Sequence, residues 1–427
     1  MSNFAALPGF RDFYPEDLAV RAHIMGVWRA VARRYGFEEY DGPPLEPLEL
    51  YTEKSGPEIV QQLYNFEDKG GREVAMRPEM TPSLARMVGA RAGALRKPVR
   101  WFSVPQLFRY ERQQRGRLRE HFQLNLDIVG DGGVGADAEL LAAAIDVLRA
   151  FGLTHDDFVA RVSDRALLRA LLLHAQVPED RLTLVYNIVD KLEREPREVI
   201  AGRLTGEAGL GPTAAAEVLA VFEHRDFAAV RDAYGGIEGV GDEVRRLGEM
   251  FEILAAMGLD RFVRFDLSVV RGLAYYTGMV FELFDARGEL RAIAGGGRYD
   301  GLLRMVSSAD LPALGFGMGD VVLRELLADR GLLPEAAPRL DAYLVAITPA
   351  ERPTMIGLGH RLRDAGWAVA YGLEQTGVGK QFKAAGAMGA RRTIVLGPDE
   401  AAEGVAVVRD MESGEERRVP LDAVADG

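Results

Sequence analysis

The sequence predicts an α+β protein in which a helical module interrupts the first domain and a separate α/β unit closes the chain. Three observations predict it. Up to about Val162, apolar residues recur sometimes at helical and sometimes at strand spacing. Residues 163–255 are rich in Leu, Ala, Glu and Arg, and short helical patterns follow one another there. Beyond Arg339, strand-like and helix-like segments alternate. A length of 427 residues exceeds one ordinary core and fits two or three domains.

In chain order, Asp17–Tyr35 is a predicted helix, with Leu18, Ile24 and Val27 on or near one face and Gly36 just past its end. Gly42-Pro43-Pro44 then breaks the chain. Ala138–Phe151 is a second helix, apolar at Leu141, Ile145 and Leu148 and stopped at Gly152. After the helical stretch, strand-like composition resumes at Phe262–Leu267 and Thr277–Phe284. Pro334–Pro338 reads as a linker. In the last unit Asp341–Ile347, Ala368–Tyr371 and Arg392–Leu396 are strands, with helices at Met355–Ala365 and Gly379–Met388. The expected domains are thus 1–162 and 256–332, split by a module at 163–255, and then 339–427.

Composition excludes several classes of function. There is no cysteine, so disulfides, thiolate zinc sites and thiol nucleophiles are absent. The apolar runs, such as Leu140–Ile145, are far shorter than a membrane span. The first residues lack a basic stretch followed by an apolar core, so a cytoplasmic protein is expected. A net charge of −12 argues against a protein that coats nucleic acid through excess Lys and Arg. It leaves room for a nucleic-acid substrate, because only the local field matters at a contact.

The most informative stretch is Val99–Gly130. Phe122, Leu124, Leu126 and Ile128 alternate with Gln123, Asn125, Asp127 and Val129. Alternate side chains of a strand face opposite ways, so one face is apolar and the other offers two amides and a carboxylate. Leu107–Glu111 alternates too, with Arg109 and Glu111 on one side. Between them, residues 112–120 form a loop dense in arginine. Guanidinium groups present a fixed fork of donors that suits phosphate oxygens, so the hairpin suits a nucleotide. On periodicity alone, a solvated edge hairpin charged for solubility remains the slightly favoured reading.

Motifs add what periodicity lacks. Phe108-Arg109-Tyr110-Glu111-Arg112, the basic loop, and Glu120-His121-Phe122-Gln123 resemble motif 2 of class II aminoacyl-tRNA synthetases, in the form found in the histidyl-tRNA synthetase family. Met76-Arg77-Pro78-Glu79-Met80-Thr81 resembles that family's amino-acid-binding stretch. Val270–Gly278 resembles its histidine signature, and Ala294–Leu302 the companion glycine loop. Gly315-Phe316-Gly317-Met318-Gly319 sits where motif 3 belongs, and Tyr35 through Pro43 fits motif 1, the dimer element. The resemblance covers almost the whole chain, with the motifs in the family's order.

The resemblance implies an antiparallel class II sheet flanked by helices, a C-terminal anticodon-binding domain, and ligation of histidine to tRNA(His) with ATP by a homodimer. It implies that Arg109 grips the α-phosphate, that Arg271 stands close to the reacting carboxylate, and that Arg117 reaches the outer phosphates. Gly319 would line the ATP site. Glu79, Thr81 and Gln123 would hold the α-amino group of histidine. Asp127, with Tyr275 or Tyr276, would read the imidazole, since a carboxylate opposite an imidazole nitrogen orients the ring. Mg2+ would accompany ATP, with no protein ligands assigned. Each residue also has a plainer reading: Glu79 could pair Arg77 or Arg86 at the surface, the tyrosines could be strand aromatics, and Gly295–Gly297 could be a turn or a tight packing contact.

Three departures from the family pattern stand out. Ala274 replaces an aspartate, the imidazole-reading position is the shorter Asp127, and Val322 occupies the place of the motif 3 arginine that packs on ATP. Arg324 lies two residues on, a spacing that turns it off that face of a helix. A branch of the family in plant organelles and some bacteria shares the Arg-Gly-Leu-Ala-Tyr-Tyr-Thr-Gly form. The missing arginine also suits a second class of function, a regulatory paralogue of the ATP phosphoribosyltransferase complex that binds histidine and charges no tRNA. The intact Arg109, Gln123 and Arg271 and the C-terminal unit count against it. A nucleotide-binding protein without ligase activity is a third possibility, which fold never excludes. In the C-terminal unit, Lys380 and Lys383 share one helix face that could meet the backbone of a single-stranded loop, and a domain serving only dimerisation is the alternative.

Overall fold

The computed structural model describes residues 4–426 apart from 56, 113, 193, 225, 270–275 and 335–339. It divides into two compact units, Met1–Leu333 and Pro334–Gly427. The expected linker falls almost wholly outside the described residues.

The first unit is built on a large sheet of nine strands: β1 (Glu38–Glu39), β2 (Val99–Ser103), β3 (Gln106–Phe108), β4 (Glu120–Val129), β5 (Phe158–Asp164), β6 (Val263–Phe265), β7 (Met279–Asp285), β8 (Ala294–Arg298) and β9 (Ala313–Gly319). Their order is β1-β2-β4-β9-β8-β7-β5-β6, with β3 pairing the first residues of β4. From β2 through β5 every neighbour runs antiparallel. The sheet brings together strands more than 150 residues apart in the chain, and β4 beside β9 forms its centre.

One face of the sheet is closed by α1 (Pro15–Arg34) and α3 (Val134–Arg149), with α2 (Thr81–Arg91) elsewhere in the unit. The expected Asp17–Tyr35 helix is α1, and it buries Ile24, Trp28, Val31 and Ala32. Leu18 belongs to the exposed side instead, because six residues before Ile24 a helix has turned it about 120° off the buried face. α3 is apolar nearly all round and correspondingly buried from Ala136 to Leu148 apart from Glu139 and Asp146.

Among the described residues the chain then makes six α-helices: α4 (Arg165–His174), α5 (Leu182–Val189), α6 (Arg197–Gly206), α7 (Pro212–Val221), α8 (Phe227–Tyr234) and α9 (Gly241–Ala256). Asp164, the last residue of β5, caps α4 by accepting from the Leu167 amide at 2.9 Å. Leu168, Leu171, Ile188, Leu204, Leu247 and Met250 join the same apolar cluster as the sheet, so this module shares its core. A buried ion pair reinforces the join: Arg298 Nε of β8 donates to Asp137 of α3 at 2.9 Å, and Arg246 of α9 reaches the same carboxylate at 3.3 Å.

The second unit holds β10 (Leu340–Ala346), α11 (Arg352–Asp364), β11 (Val369–Tyr371), α12 (Val378–Ala387), β12 (Ala390–Leu396), β13 (Val405–Asp410) and β14 (Glu416–Pro420). Its sheet order is β11-β10-β12-β13-β14, parallel across the first three and antiparallel beyond. Buried Gln381 of α12 fastens to β10, donating to the Ala346 carbonyl at 2.9 Å. β13 and β14 were not among the expected strands. β14 reads Glu-Arg-Arg-Val-Pro and is a polar edge, so it carries little of the apolar alternation that marks a strand.

Candidate active site

The two-residue repeat of β4 builds the site. Leu124, Leu126 and Ile128 point into the core, and His121, Gln123, Asn125 and Asp127 form a row on the opposite face. On the neighbouring β9, Gly315, Gly317 and Gly319 lie across from Asp127, Asn125 and Gln123. On β8, Gly297 and Gly295 lie across from Gly315 and Gly317. The result is a strip of sheet two strands wide without side chains, with the β4 row along one edge and Glu282 of β7 opposite Gly295 on the other. Glycine keeps a floor on which a ligand can approach the backbone.

The end of this floor near Asp127 is walled by apolar groups. Leu84 and Val88 of α2 pack there with Val99, Val129, Leu302 and Ala313. Asp127 is buried, and the Tyr299 hydroxyl donates to it. A Cβ at Gly315 would overlap the Asp127 carboxylate and stand 2.6 Å from the Tyr299 hydroxyl. The Tyr276 ring lies over Gly297, 3.1 Å from where a Cβ would be, and Gln123 folds over Gly317 in the same way at 2.7 Å. The structure therefore brings Gln123, Asp127 and Tyr276 onto one floor. Arg271 and Tyr275 lie outside the described residues. Tyr299 was not singled out from the sequence, although it follows directly on the glycine loop. Burial, and next the charge of Asp127, push the Tyr40 hydroxyl well above its ordinary range, so this tyrosine also borders the carboxylate.

The other end carries the arginines. Arg109 follows β3, and its Nε donates to the Pro78 carbonyl at 3.0 Å, while the Phe108 amide donates to the Arg77 carbonyl at 3.0 Å. These bonds place the Arg77–Thr81 stretch, with Glu79, against the start of the basic loop, and Thr81 opens α2. Beside Glu79, Arg77 pairs with Asp41 and Arg86 with Glu46, both at 2.7 Å. Within the loop, Arg117 pairs with Glu111, Arg119 lies over the Tyr110 ring at 4.5 Å, and Arg115 reaches Glu325 at 3.2 Å. His121 is held neutral, its pKa lowered to about 3 by burial and by the charges of Arg109, Arg11 and Arg117. That shared influence puts Arg109 and Arg117 on one electropositive patch.

A network that sequence spacing gave no sign of joins motif 3 to this patch. Arg11 donates from Nε to Glu120 at 2.6 Å and from Nη1 to Asp320 at 2.9 Å. Asp320 also accepts from the Phe122 amide at 2.9 Å. Burial pushes the Asp320 pKa up and Arg11 opposes it. The network ties Gly319, at the start of helix α10 (Asp320–Asp329), to the first residues of β4. Val322 of α10 packs under the loop, its Cγ2 3.2 Å from the position a Cβ would take at Gly116. Arg324 turns away to Asp17 of α1 at 2.6 Å, as its two-residue offset requires.

Comparison with known proteins agrees with this architecture. Residues 9–320 match the family model described as histidyl-tRNA synthetase, and residues 341–427 match that of the anticodon binding domain. A histidine–tRNA ligase of Opitutus terrae is 46% identical over 427 residues, covering 99% of this chain and 98% of the relative. The chloroplastic/mitochondrial histidine–tRNA ligase of Arabidopsis thaliana is 41% identical, covering 97% of this chain and 84% of its own length. Among solved structures, the histidyl-tRNA synthetase of Nostoc sp. PCC 7120 superposes with a TM-score of 0.85 at 25% identity, covering 100% of this chain and 99% of that one. By sequence, fold and the order of its motifs, the chain belongs to the histidyl-tRNA synthetase family of class II aminoacyl-tRNA synthetases.

Proposed function

We infer that this chain is a ligase that joins histidine to tRNA(His) in two steps. First, a carboxylate oxygen of histidine attacks the α-phosphorus of ATP. The bond to the bridging β-phosphate oxygen breaks, and diphosphate leaves histidyl-adenylate behind. Second, a hydroxyl of the terminal ribose of tRNA attacks the adenylate carbonyl carbon and loses its proton, and AMP departs. The substrates supply both nucleophiles, so the protein has to align them and neutralise the growing phosphoryl charge. The carrying observation is the glycine floor, with a buried carboxylate at its closed end and arginines at the other. A free amino acid and a nucleotide phosphate are thereby offered adjoining binding surfaces.

Individual roles follow from position. Arg109 is proposed to hold the α-phosphate and Arg117 the outer phosphates, with Gly319 lining the nucleotide. Gln123, Glu79 and Thr81 are proposed to take the α-amino group. Tyr299 fixes the orientation of Asp127, so an imidazole N–H would meet an acceptor already aimed, beside Tyr276. A buried carboxylate left without that donor would disfavour other amino acids. Arg271 and Tyr275 keep the roles that the family motif gives them. Mg2+ is expected to travel with the phosphates of ATP. The groups around those phosphates are cationic, and the Glu111 carboxylate is engaged by Arg117. No protein ligand is therefore assigned to the ion, and no step depends on one.

The second unit is proposed to read the anticodon, with exposed Lys380 and Lys383 of α12 toward the backbone. Motif 1 supports a homodimer, and a cytoplasmic location remains the expectation. No described helix is long and apolar enough to cross a membrane. The regulatory alternative rests on Val322, whereas the second unit's match to an anticodon binding domain and the end-to-end likeness to ligases favour tRNA charging. The test is histidine-dependent exchange of labelled diphosphate into ATP, followed by charging of tRNA(His). Exchange with histidine alone among the amino acids is expected. A folded protein showing none would overturn the ligase reading.

A further inference from the structure

We propose that Arg291, in the connection between β7 and β8, is a binding residue for the β- and γ-phosphates of ATP. It would supply from another part of the fold the cation that position 322 lacks. This inference rests on the ligase reading above.

Three observations carry it. The first is place. Gly116, in the basic loop with a positive φ of 72°, has two side chains beside it: Val322 Cγ2 at 3.2 Å and Arg291 Cδ at 3.7 Å from a Cβ built there. Arg291 and Val322 thus flank the same turn, although they approach from different elements. Arg291 Nη2 donates to the side-chain oxygen of Gln114 at 2.6 Å, and Gln114 pairs through its backbone with Arg117. The guanidinium is therefore fastened to the turn that carries Arg117, the arginine assigned to the outer phosphates.

The second observation is mounting. Leu290 and Ile293 are buried in the main core on either side of Arg291, and the Ile293 amide donates to the Leu283 carbonyl at 2.8 Å. The segment is pinned while Arg291 itself is exposed. A fixed base loses less freedom when the side chain takes up a ligand.

The third is charge. Arg115 and Arg117 of the loop each have a carboxylate partner. Among the described residues Arg291 has only the neutral amide of Gln114, in a chain with 64 acidic residues. No described carboxylate pairs with it, and its remaining N–H groups can donate to a phosphate in fork geometry.

The test compares Arg291→Ala, Arg291→Lys and Gln114→Ala with the unaltered protein in diphosphate exchange, and measures ATP and AMP binding by calorimetry. Arg291→Ala should raise KM for ATP on the order of tenfold or more, with KM for histidine unchanged, because a charge-assisted phosphate contact is lost. Lysine should restore part of the loss. Gln114→Ala, which removes the same Arg291–Gln114 bond, should do much less than Arg291→Ala. ATP binding should weaken while AMP binding holds. The proposal fails if KM for ATP is unmoved, or if Gln114→Ala matches Arg291→Ala and lysine rescues nothing, as a mere latch for the loop would behave. Equal weakening of ATP and AMP would place Arg291 on the nucleoside and also defeat it. An unaltered protein without exchange would sink the ligase reading, and the two nucleotide titrations would still decide the role of Arg291.

Discussion

Two glycines on opposite faces of β8 and β9, Gly296 and Gly317, serve opposite ends. On the core face Gly296 lies across from Phe281 on one side and Phe316 on the other, and those rings meet edge to face at 6.1 Å. A Cβ at Gly296 would stand 2.4 Å from both the Phe316 Cβ and the Gly315 carbonyl oxygen. On the ligand face a Cβ at Gly317 would meet only the side chain of Gln123. In the first case glycine lets backbone and core close together; in the second it leaves room above a sheet. The neighbour decides the meaning: backbone cannot yield without moving the strand, whereas the end of a long side chain can rotate away.

Gly296→Ala tests the rigid side of that contrast and should have the largest effect. Overpacking against backbone at the centre of the sheet should cost about 3 kcal/mol or more of stability, read from the urea midpoint. A loss under about 1 kcal/mol would mean that the core face is as compliant as the other.

His121 probes the ligand face, at the arginine end of the β4 row. Its pKa of about 3 in the folded chain lies below the ordinary value near 6.5. Between those values the unfolded chain takes up a proton that the folded chain refuses. The stability that depends on a neutral His121 is therefore complete above about pH 6.5 and is lost as pH falls toward about 3. The slope contributed by one proton is at most about 1.4 kcal/mol per pH unit. His121→Phe keeps an aromatic ring and removes the titration, so its stability should fall less between pH 7 and pH 5 than that of the unaltered chain. Parallel profiles for the two proteins would show that the imidazole is not held neutral on this face.

Much of this was readable in the chain and some was not, for definite reasons. The alternation of Phe122–Val129 gave the direction of every side chain on β4, because a strand's period is local. α1, α3 and the helices of the second unit carry local periodicity and stop signals, and their ends came within a few residues. The resemblance of motifs supplied Gln123, Asp127 and Tyr276, which the structure gathers on one floor. Nothing local could show that Arg11 would bridge Glu120 and Asp320, 109 and 309 residues away. The same holds for Tyr299 on Asp127, a pairing 172 residues apart, and for Arg291 on Gln114, 177 apart. These contacts depend on which strands become neighbours in the sheet. The plainer possibility that Gly295–Gly297 form a tight packing contact describes Gly296 and Gly297, where a Cβ would stand 2.4 Å from a backbone oxygen, while around Gly295 the contacts are ordinary.

Gly317→Ala is the gentlest change and the sharpest test of the contrast. The added methyl would lie 2.7 Å from Gln123 Nε2 and 2.8 Å from its Cδ, so the amide must swing off the floor. No backbone atom stands among its nearest neighbours, so the cost in stability should stay below about 1 kcal/mol. The displaced amide is one of the groups proposed to hold the amino group of histidine. KM for histidine should therefore rise several-fold while KM for ATP, set at the arginine end, stays close to its original value. A stability loss as large as that of Gly296→Ala would erase the distinction between the faces. An unchanged KM for histidine in a stable variant would remove Gln123 from the amino-acid site, because the substitution moves that side chain and little else.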